Sequence, residues 1–514
     1  MLSLNNFILR TDSYKLTHWK ALPKDLKYVK SYLEARGGGD ATVFFGLQYY
    51  CKEYLDKVTI TYKDVLEAEQ FASFHFETPG FFNKEGWLHI VNNCGGKLPI
   101  KIKAVKEGTL VPISNVLMTI ENTDEKCPWL TNVVETLLMK LWYPITIATN
   151  SMLRGVDIGV ALKQSGSDYM GLIWKLHDFA YRGVTCEEQA GIGGMSHLLT
   201  FNGTDTIRGI QFADNYYNSG VCGFSVAASE HFVACCYGSE KEEEYFAAMV
   251  NSYEGFTTSM VSDTYHVYKF IRKTGTNNKE LILARTNPIV YRPDSGKPVD
   301  VCCGYGFEED GKYYTINKFG AKVEITRDQH IGLIGILWEV FGDHGTTKNG
   351  FKLLPPQVRL IQGDGIDKHV IVEILVALMK KGYSVDNLVF GSGGGLLQKF
   401  DRDTYQFAIK ASFGIFGKLE TTKEDYTIDL VKDPFTSKGK KSKGGDMKLT
   451  EWNDTFKTVT SKDLSKFDFD SYIDVLEEVH VNGETVRYQS FDEIKSILNK
   501  HFTNLIETTP CYEL

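Results

Sequence analysis

The chain has 514 residues, a formal net charge of −8, 43% hydrophobic residues and 24% charged ones. That apolar fraction excludes a disordered chain, and the length allows about three domains of roughly 150 residues or two larger ones. An acidic chain with no basic arm excludes general nucleic-acid binding, so any anionic ligand must be met by locally placed Arg and Lys.

The first residues, Met1-Leu-Ser-Leu-Asn-Asn-Phe7, lack the basic and apolar regions of a signal peptide, and no apolar run is long enough to span a bilayer. No membrane association and a cytoplasmic location are therefore expected. Residues 98–105 alternate polar and apolar like a half-buried strand, and 405–411 do the same. Residues 1–145 are read as one part of a β-rich domain, ending in an amphipathic linking helix over 130–142. Residues 405–514 are read as its other part.

Between them, 146–404 alternates strand-like and helix-like stretches. Apolar runs at 172–176, 223–226, 258–261, 287–291, 358–361 and 387–390 each break into a cluster of small or charged residues. Continuous apolar runs are the mark of strands buried on both faces, as in parallel sheets. The spacing also predicts a helix over 367–381, with Asp367 as N-cap and Gly382 just past its end. Six strand ends of this kind suggest an α/β fold, an irregular parallel barrel with its chemistry at the C-terminal mouth. An open doubly wound sheet is the competing layout. The basic, glycine-rich segment 437–445 reads as a solvated loop, with a phosphate-reaching loop as the alternative.

Three strand-end clusters carry phosphate and ribose chemistry. Gly391-Ser-Gly-Gly-Gly395 can bring backbone N–H groups onto a phosphate, although it lacks the ending of a P-loop and the spacing of a dinucleotide fingerprint. Arg402 and Lys410 follow it. Arg292-Pro-Asp-Ser-Gly296 and Gln362-Gly-Asp-Gly365 offer a guanidinium and carboxylates for phosphate oxygens and ribose hydroxyls; an Arg292–Asp294 structural pair is the plainer alternative. Magnesium held through substrate phosphates needs only one or two such carboxylates. His231 follows small residues, with Glu230 beside it as an uncertain partner. The ten cysteines include no Cys-x-x-Cys, and no His-Glu-x-x-His is present, so reduced thiols and no zinc site are expected.

Together these segments resemble the nicotinamide phosphoribosyltransferases, which belong to the type II phosphoribosyltransferases. The matching motifs include Thr11-Asp-Ser-Tyr-Lys15, Thr42-Val-Phe-Phe-Gly-Leu-Gln48, Lys175-Leu-His-Asp-Phe179, Tyr181-Arg-Gly183, Gly203-Thr-Asp-Thr206 and Glu230-His231, with the three clusters above. The resemblance runs from about residue 7 to Ser490-Phe-Asp-Glu-Ile494. It implies an irregular α/β barrel beside a β-rich α+β domain built from both chain ends, and a homodimer with shared active sites. It also implies condensation of nicotinamide with phosphoribosyl pyrophosphate in NAD salvage, coupled to ATP and aided by Mg2+.

By the same resemblance, Phe179 and the partner subunit's Tyr14 would sandwich the pyridine ring, and Asp205 would accept from the carboxamide. Arg182 would contact base and pyrophosphate, Arg36 the pyrophosphate, and Arg292, Asp294 and Gly363 the ribose, with Asp364 nearby. Gly393 and Gly394 would bind the 5-phosphate with Arg402 and Lys410 of the partner subunit. Ser225, Ser259 and Asp263 are further implied contacts, and His231 is the implied phosphorylated histidine. The chain departs from the expected pattern at Ala180, at Ala-Ala-Ser before Glu230, and in a longer segment over 302–344. The rivals are a nicotinate phosphoribosyltransferase, which Asp205 disfavours by charge, and a catalytically silent binding protein.

Overall fold

The computed structural model describes residues 2–342, 344–418, 423–436, 441–452, 455–464 and 473–514. The first four residues of the basic segment at 437–445 therefore lie outside the described residues. Two compact units are present. One comprises Met1–Thr149, Asn215–Ser219 and Phe400–Leu498; the other comprises Asn150–Asp214, Gly220–Lys399 and Asn499–Leu514.

The first unit is built on a seven-stranded antiparallel sheet that draws strands from both ends of the chain. Its order is Tyr426–Asp429, Ala408–Phe416, Leu26–Glu34, Val116–Asn122, Ile100–Ala104, Glu477–Val481 and Glu484–Thr485. Ile100–Ala104 alternates fully and partly buried positions, as the alternation of its side chains demands. Leu26–Glu34 is central and pairs with Ala408–Phe416 in a register that joins Leu33 to Ile409 and Leu26 to Phe416. The helix expected over 130–142 is broken. Leu130–Leu138 passes through a 3-10 turn, Met139–Leu141, into the 23-residue helix Trp142–Gln164. Pro144 explains the restart, because a proline without an N–H is tolerated only in the first turn of a helix.

The second unit contains six parallel strands: β1 Leu176–Asp178, β2 Ala227–Ala228, β3 Thr258–Val261, β4 Ile289–Arg292, β5 Val358–Gln362 and β6 Leu388–Ser392. Their order is β1-β6-β5-β4-β3-β2. Two isolated parallel bridges, Asp178 to Thr204 and Gly203 to Phe224, carry the pairing from β1 round to the residues just before β2. The sheet thus curls into an irregular barrel rather than lying open. All four residues of β3 are buried, as is most of β4 and β5, so these strands lack the polar–apolar alternation of a half-exposed sheet.

Two expected strands are displaced. Tyr169–Trp174 is a 3-10 helix, capped by the Asp168 carboxylate accepting from the Met170 N–H at 2.8 Å, so β1 starts only at Leu176. Residues 223–226 contribute a single bridge before the short β2. The helix Lys368–Lys380 stands where its periodicity placed it. Asp367 accepts from the N–H groups of His369 and Val370, and Gly382 lies beyond its end at φ 76°. Residues 302–344 contain a three-stranded antiparallel sheet, Phe307–Glu309, Lys312–Ile316 and Lys322–Ile325, whose first turn is the Asp310-Gly311 pair, both at positive φ.

Candidate active site

The C-terminal ends of β1, β4, β5 and β6 converge on a cleft of about 530 Å³. Phe179, Arg182, Asp205, Arg292, Asp294, Gly363, Asp364, Gly393 and Gly394 line it, so nine of the residues picked from sequence meet in one place. Tyr181, Gly183 and Thr206 complete the wall; the sequence reading gave them no role, although the first two flank Arg182.

Phe179 follows β1 directly, and its N–H donates to the Ser392 carbonyl at 3.0 Å, tying the turn after β1 to the end of β6. Its ring lies against Gly391, where an added Cβ would come within 2.0 Å of Phe179 Cε2. Only glycine lets the strand pass beneath that ring. Gly393 then precedes the single helical turn Gly394–Leu397, the kind of turn that leaves its first N–H groups without internal acceptors.

Asp205 projects from the bridge beside β1 and is exposed, not buried. Its N–H donates to the Asp178 carbonyl at 2.9 Å, and its carboxylate accepts from the Ser225 hydroxyl. Beneath it Asp178 is fully buried. Burial drives that carboxyl up to about 7; the Ala180 N–H donated to it at 2.7 Å opposes the shift, and the charge of Asp205 adds to it. Sequence reasoning included Asp178 in a motif but gave it no role.

The opposite wall is organised by Asp263, whose side chain is only 4% exposed. Its Oδ1 stands 3.0 Å from His231 Nε2, and its Oδ2 accepts from the Asp294 N–H at 3.0 Å and from the Ser295 hydroxyl. His231 opens the helix His231–Cys235 after Glu230 at the N-cap, so its partner is Asp263 and not the adjacent glutamate. That contact engages Nε2, and Nδ1 is the imidazole nitrogen that Asp263 does not hold. Arg292 donates to the Ser229 carbonyl at 2.9 Å, and no ion pair joins it to Asp294 among the described residues. Burial raises the Asp294 carboxyl above its ordinary range; Arg292 and His231 oppose this, while Asp263 and Asp364 reinforce it. Three carboxylates crowded in this way, without a protein cage, fit a magnesium ion carried by substrate phosphates.

Ser225 and Ser259 line a neighbouring chamber of about 380 Å³ that shares Phe179, Asp205 and Arg292 with the cleft. His177, Ile361 and Arg359 also face it. Burial lowers the pKa of His177. Arg359 interrupts the apolar run of β5, a signal the sequence did carry.

Tyr14, Arg36, Arg402 and Lys410 belong to the first unit and line a separate cleft of about 830 Å³. Lys15 and Lys432 join them, so five cations there face the three carboxylates Asp12, Glu135 and Asp403. Burial lowers the pKa of Lys410; Glu135 opposes this, and Arg36, Lys432 and Lys15 press the same way as burial. An anion would relieve that crowding. Tyr14 is 55% exposed, a large apolar ring available for contact.

Residues 6–102 match the N-terminal domain of nicotinamide phosphoribosyltransferase, and residues 174–471 match the nicotinate phosphoribosyltransferase family. The chain is 37% identical to the nicotinamide phosphoribosyltransferase of Xanthomonas campestris pv. campestris over 96% of its own length and 98% of that protein. It is 32% identical to the enzyme of the same name from Acinetobacter baylyi, over 95% and 96% of the two chains. The fold is similar to that of the nicotinate-nucleotide pyrophosphorylase from Pyrococcus furiosus, with a TM-score of 0.57 at 13% identity and 99% of each chain covered. It is also similar to that of human nicotinic acid phosphoribosyltransferase, with a TM-score of 0.50 at 14% identity over 96% and 94% of the chains. The likeness in sequence spans nearly the whole chain, and the chain belongs to the nicotinamide phosphoribosyltransferase family, whose members are pentosyltransferase enzymes.

Proposed function

We propose that this enzyme condenses nicotinamide with phosphoribosyl pyrophosphate, giving nicotinamide mononucleotide and pyrophosphate for NAD salvage. The observation that carries the reading is the single cleft holding Phe179 and Asp205 at one side and Arg292, Asp294, Gly393 and Gly394 at the other. A flat aromatic base and a phosphorylated ribose need those two halves together.

Phe179 stacks on the pyridine ring, and Asp205 accepts from the carboxamide NH₂. Asp294 and the backbone at Gly363 hold the ribose hydroxyls, Arg292 and Arg182 take phosphate oxygens, and Gly393 and Gly394 donate to the 5-phosphate. The pyridine nitrogen lone pair forms the new bond to the anomeric carbon as the C–O bond to pyrophosphate breaks and its electron pair leaves with the pyrophosphate. The ring nitrogen carries no proton, so no general base is required. Alignment and stabilisation of the departing charge are what the residues supply. Mg2+ bound with the phosphates would neutralise developing charge on the leaving group.

His231 is the proposed acceptor of the ATP γ-phosphoryl group, through the nitrogen that Asp263 does not hold. Transfer breaks the γ-phosphate bond with release of ADP, and water later cleaves the phosphohistidine to inorganic phosphate. We further propose a homodimer in which the partner's Tyr14, the partner's Arg402 and the partner's Lys410 complete each site. The exposed Tyr14 and the surplus of cations in their cleft support this. Ten free cysteines fit the reducing environment of a cytoplasmic enzyme.

Asp205 decides between the amide and the acid, because its charge repels the carboxylate of nicotinate. Replacing Asp205→Asn should lower the ratio of kcat/KM for nicotinamide over nicotinate by roughly tenfold or more, the scale of one hydrogen bond to a charged group. An unchanged ratio would remove Asp205 from base selection and reopen the choice of substrate.

A further inference from the structure

Away from either cleft, two segments of the first unit bring three metal-ligand side chains together, with a fourth, Cys94, beside one of them. His89 lies on the helix Lys84–Asn93, and Cys94 caps its C-terminal end. Asp124 and Cys127 lie in the turn between Val116–Asn122 and Leu130–Leu138. One ligand atom each from His89, Asp124 and Cys127 lie within 4.8 Å of one another. His89 Nε2 stands 2.8 Å from Asp124 Oδ2, and Cys94 Sγ stands 3.9 Å from that same oxygen. Tetrahedral zinc bonded at its usual lengths spaces its ligands roughly 3.3–3.8 Å apart, so the three clustered ligands would draw in somewhat and the Cys94 thiol would swing toward them.

The surroundings are built for such a site. Asp124 Oδ1 accepts from the Lys126 N–H at 2.8 Å, which orients the carboxylate and leaves Oδ2 facing the histidine and the thiol. The Asp124 carbonyl accepts from the Cys127 N–H and the Asn122 amide, fixing the turn. Trp87 and Trp129 meet edge to face at 4.9 Å between centroids and clamp the helix to the turn. Cys127 is fully buried and Cys94 half-buried.

We propose that His89, Cys94, Asp124 and Cys127 form a structural site for a zinc-class divalent ion that ties the helix Lys84–Asn93 to the turn at 124–127. Two thiols with an imidazole and a carboxylate select zinc over magnesium or calcium, and four protein ligands leave no open position for catalysis. The spacings His-x₄-Cys and Asp-x₂-Cys match no common finger motif, so the sequence gives no warning of the site.

The test uses the full chain, purified without chelator. Elemental analysis should find about one zinc per chain, and Co2+ added to the metal-free protein should give a sulfur-to-cobalt charge-transfer band with intense tetrahedral visible bands. Cys94→Ser should abolish or strongly weaken the charge-transfer band. His89→Gln, at a less buried position whose retained fold is checked by circular dichroism, should weaken zinc binding by about 10–100-fold. Wild-type protein that takes up no metal from excess Zn2+ would overturn the site. So would Co2+ bands left unchanged in Cys94→Ser, or a Cys94–Cys127 disulfide in the freshly purified chain.

Discussion

At the end of β1, Asp178 sits under the proposed base site, fully buried and next in the chain to Phe179. Its carboxyl is raised from 3.8 to about 7. The folded state therefore keeps a proton that the unfolded chain has already lost across that window, and stability declines as pH rises through it. Asp178→Asn retains an oxygen to accept the Ala180 N–H but has nothing to ionise. The melting temperature of the variant should therefore fall less than that of the parent between about pH 5 and pH 7.5. Parallel pH profiles would mean that Asp178 does not hold this proton. Legibility at this scale was uneven. Arg292, Asp294, Gly363 and Gly393 could be read because each follows an apolar run, and the end of a parallel strand is where a barrel places its chemistry. The pairing of His231 with Asp263 could not be read. The two residues are 32 positions apart, and only the adjacency of β2 and β3 brings them together.

At the scale of elements, strand ends position the cleft, and the join between β6 and the turn after β1 is the tightest. Gly391 passes under the Phe179 ring with no room for a Cβ. Gly391→Ala should displace the ring, lowering kcat/KM by roughly 100-fold, chiefly through KM for the base, and costing about 1–3 kcal/mol of stability. Wild-type kcat/KM in a folded variant would show that the ring does not set the base site. Periodicity located β3, β5 and the helix Lys368–Lys380 well because their burial is uniform or one-sided. It misplaced β1 and β2, where a capped 3-10 turn and a single bridge replace regular strand, and where local hydrogen bonds outweigh apolar pattern. It also ran 130–142 as one helix, because the restart depends on where Pro144 falls within a turn.

For the whole molecule, the proposed function draws on both units. The barrel unit offers the Phe179 ring, Arg292, Asp294 and the glycine turn at 393–394, and the β-rich unit offers an exposed tyrosine and an excess of cations. The first unit's sheet joins strands from both chain ends, which the matching alternation at 98–105 and 405–411 made visible in the sequence. In the proposed homodimer, the grouping of residues from the two clefts around one substrate would be set by assembly, which no local pattern encodes. The most direct test is mononucleotide formation by the purified chain with Mg2+, phosphoribosyl pyrophosphate and either nicotinamide or nicotinate, each with and without ATP. Nicotinamide mononucleotide is expected, in greater amount with ATP. Product from nicotinate alone, or no mononucleotide from either base, would contradict the proposed function.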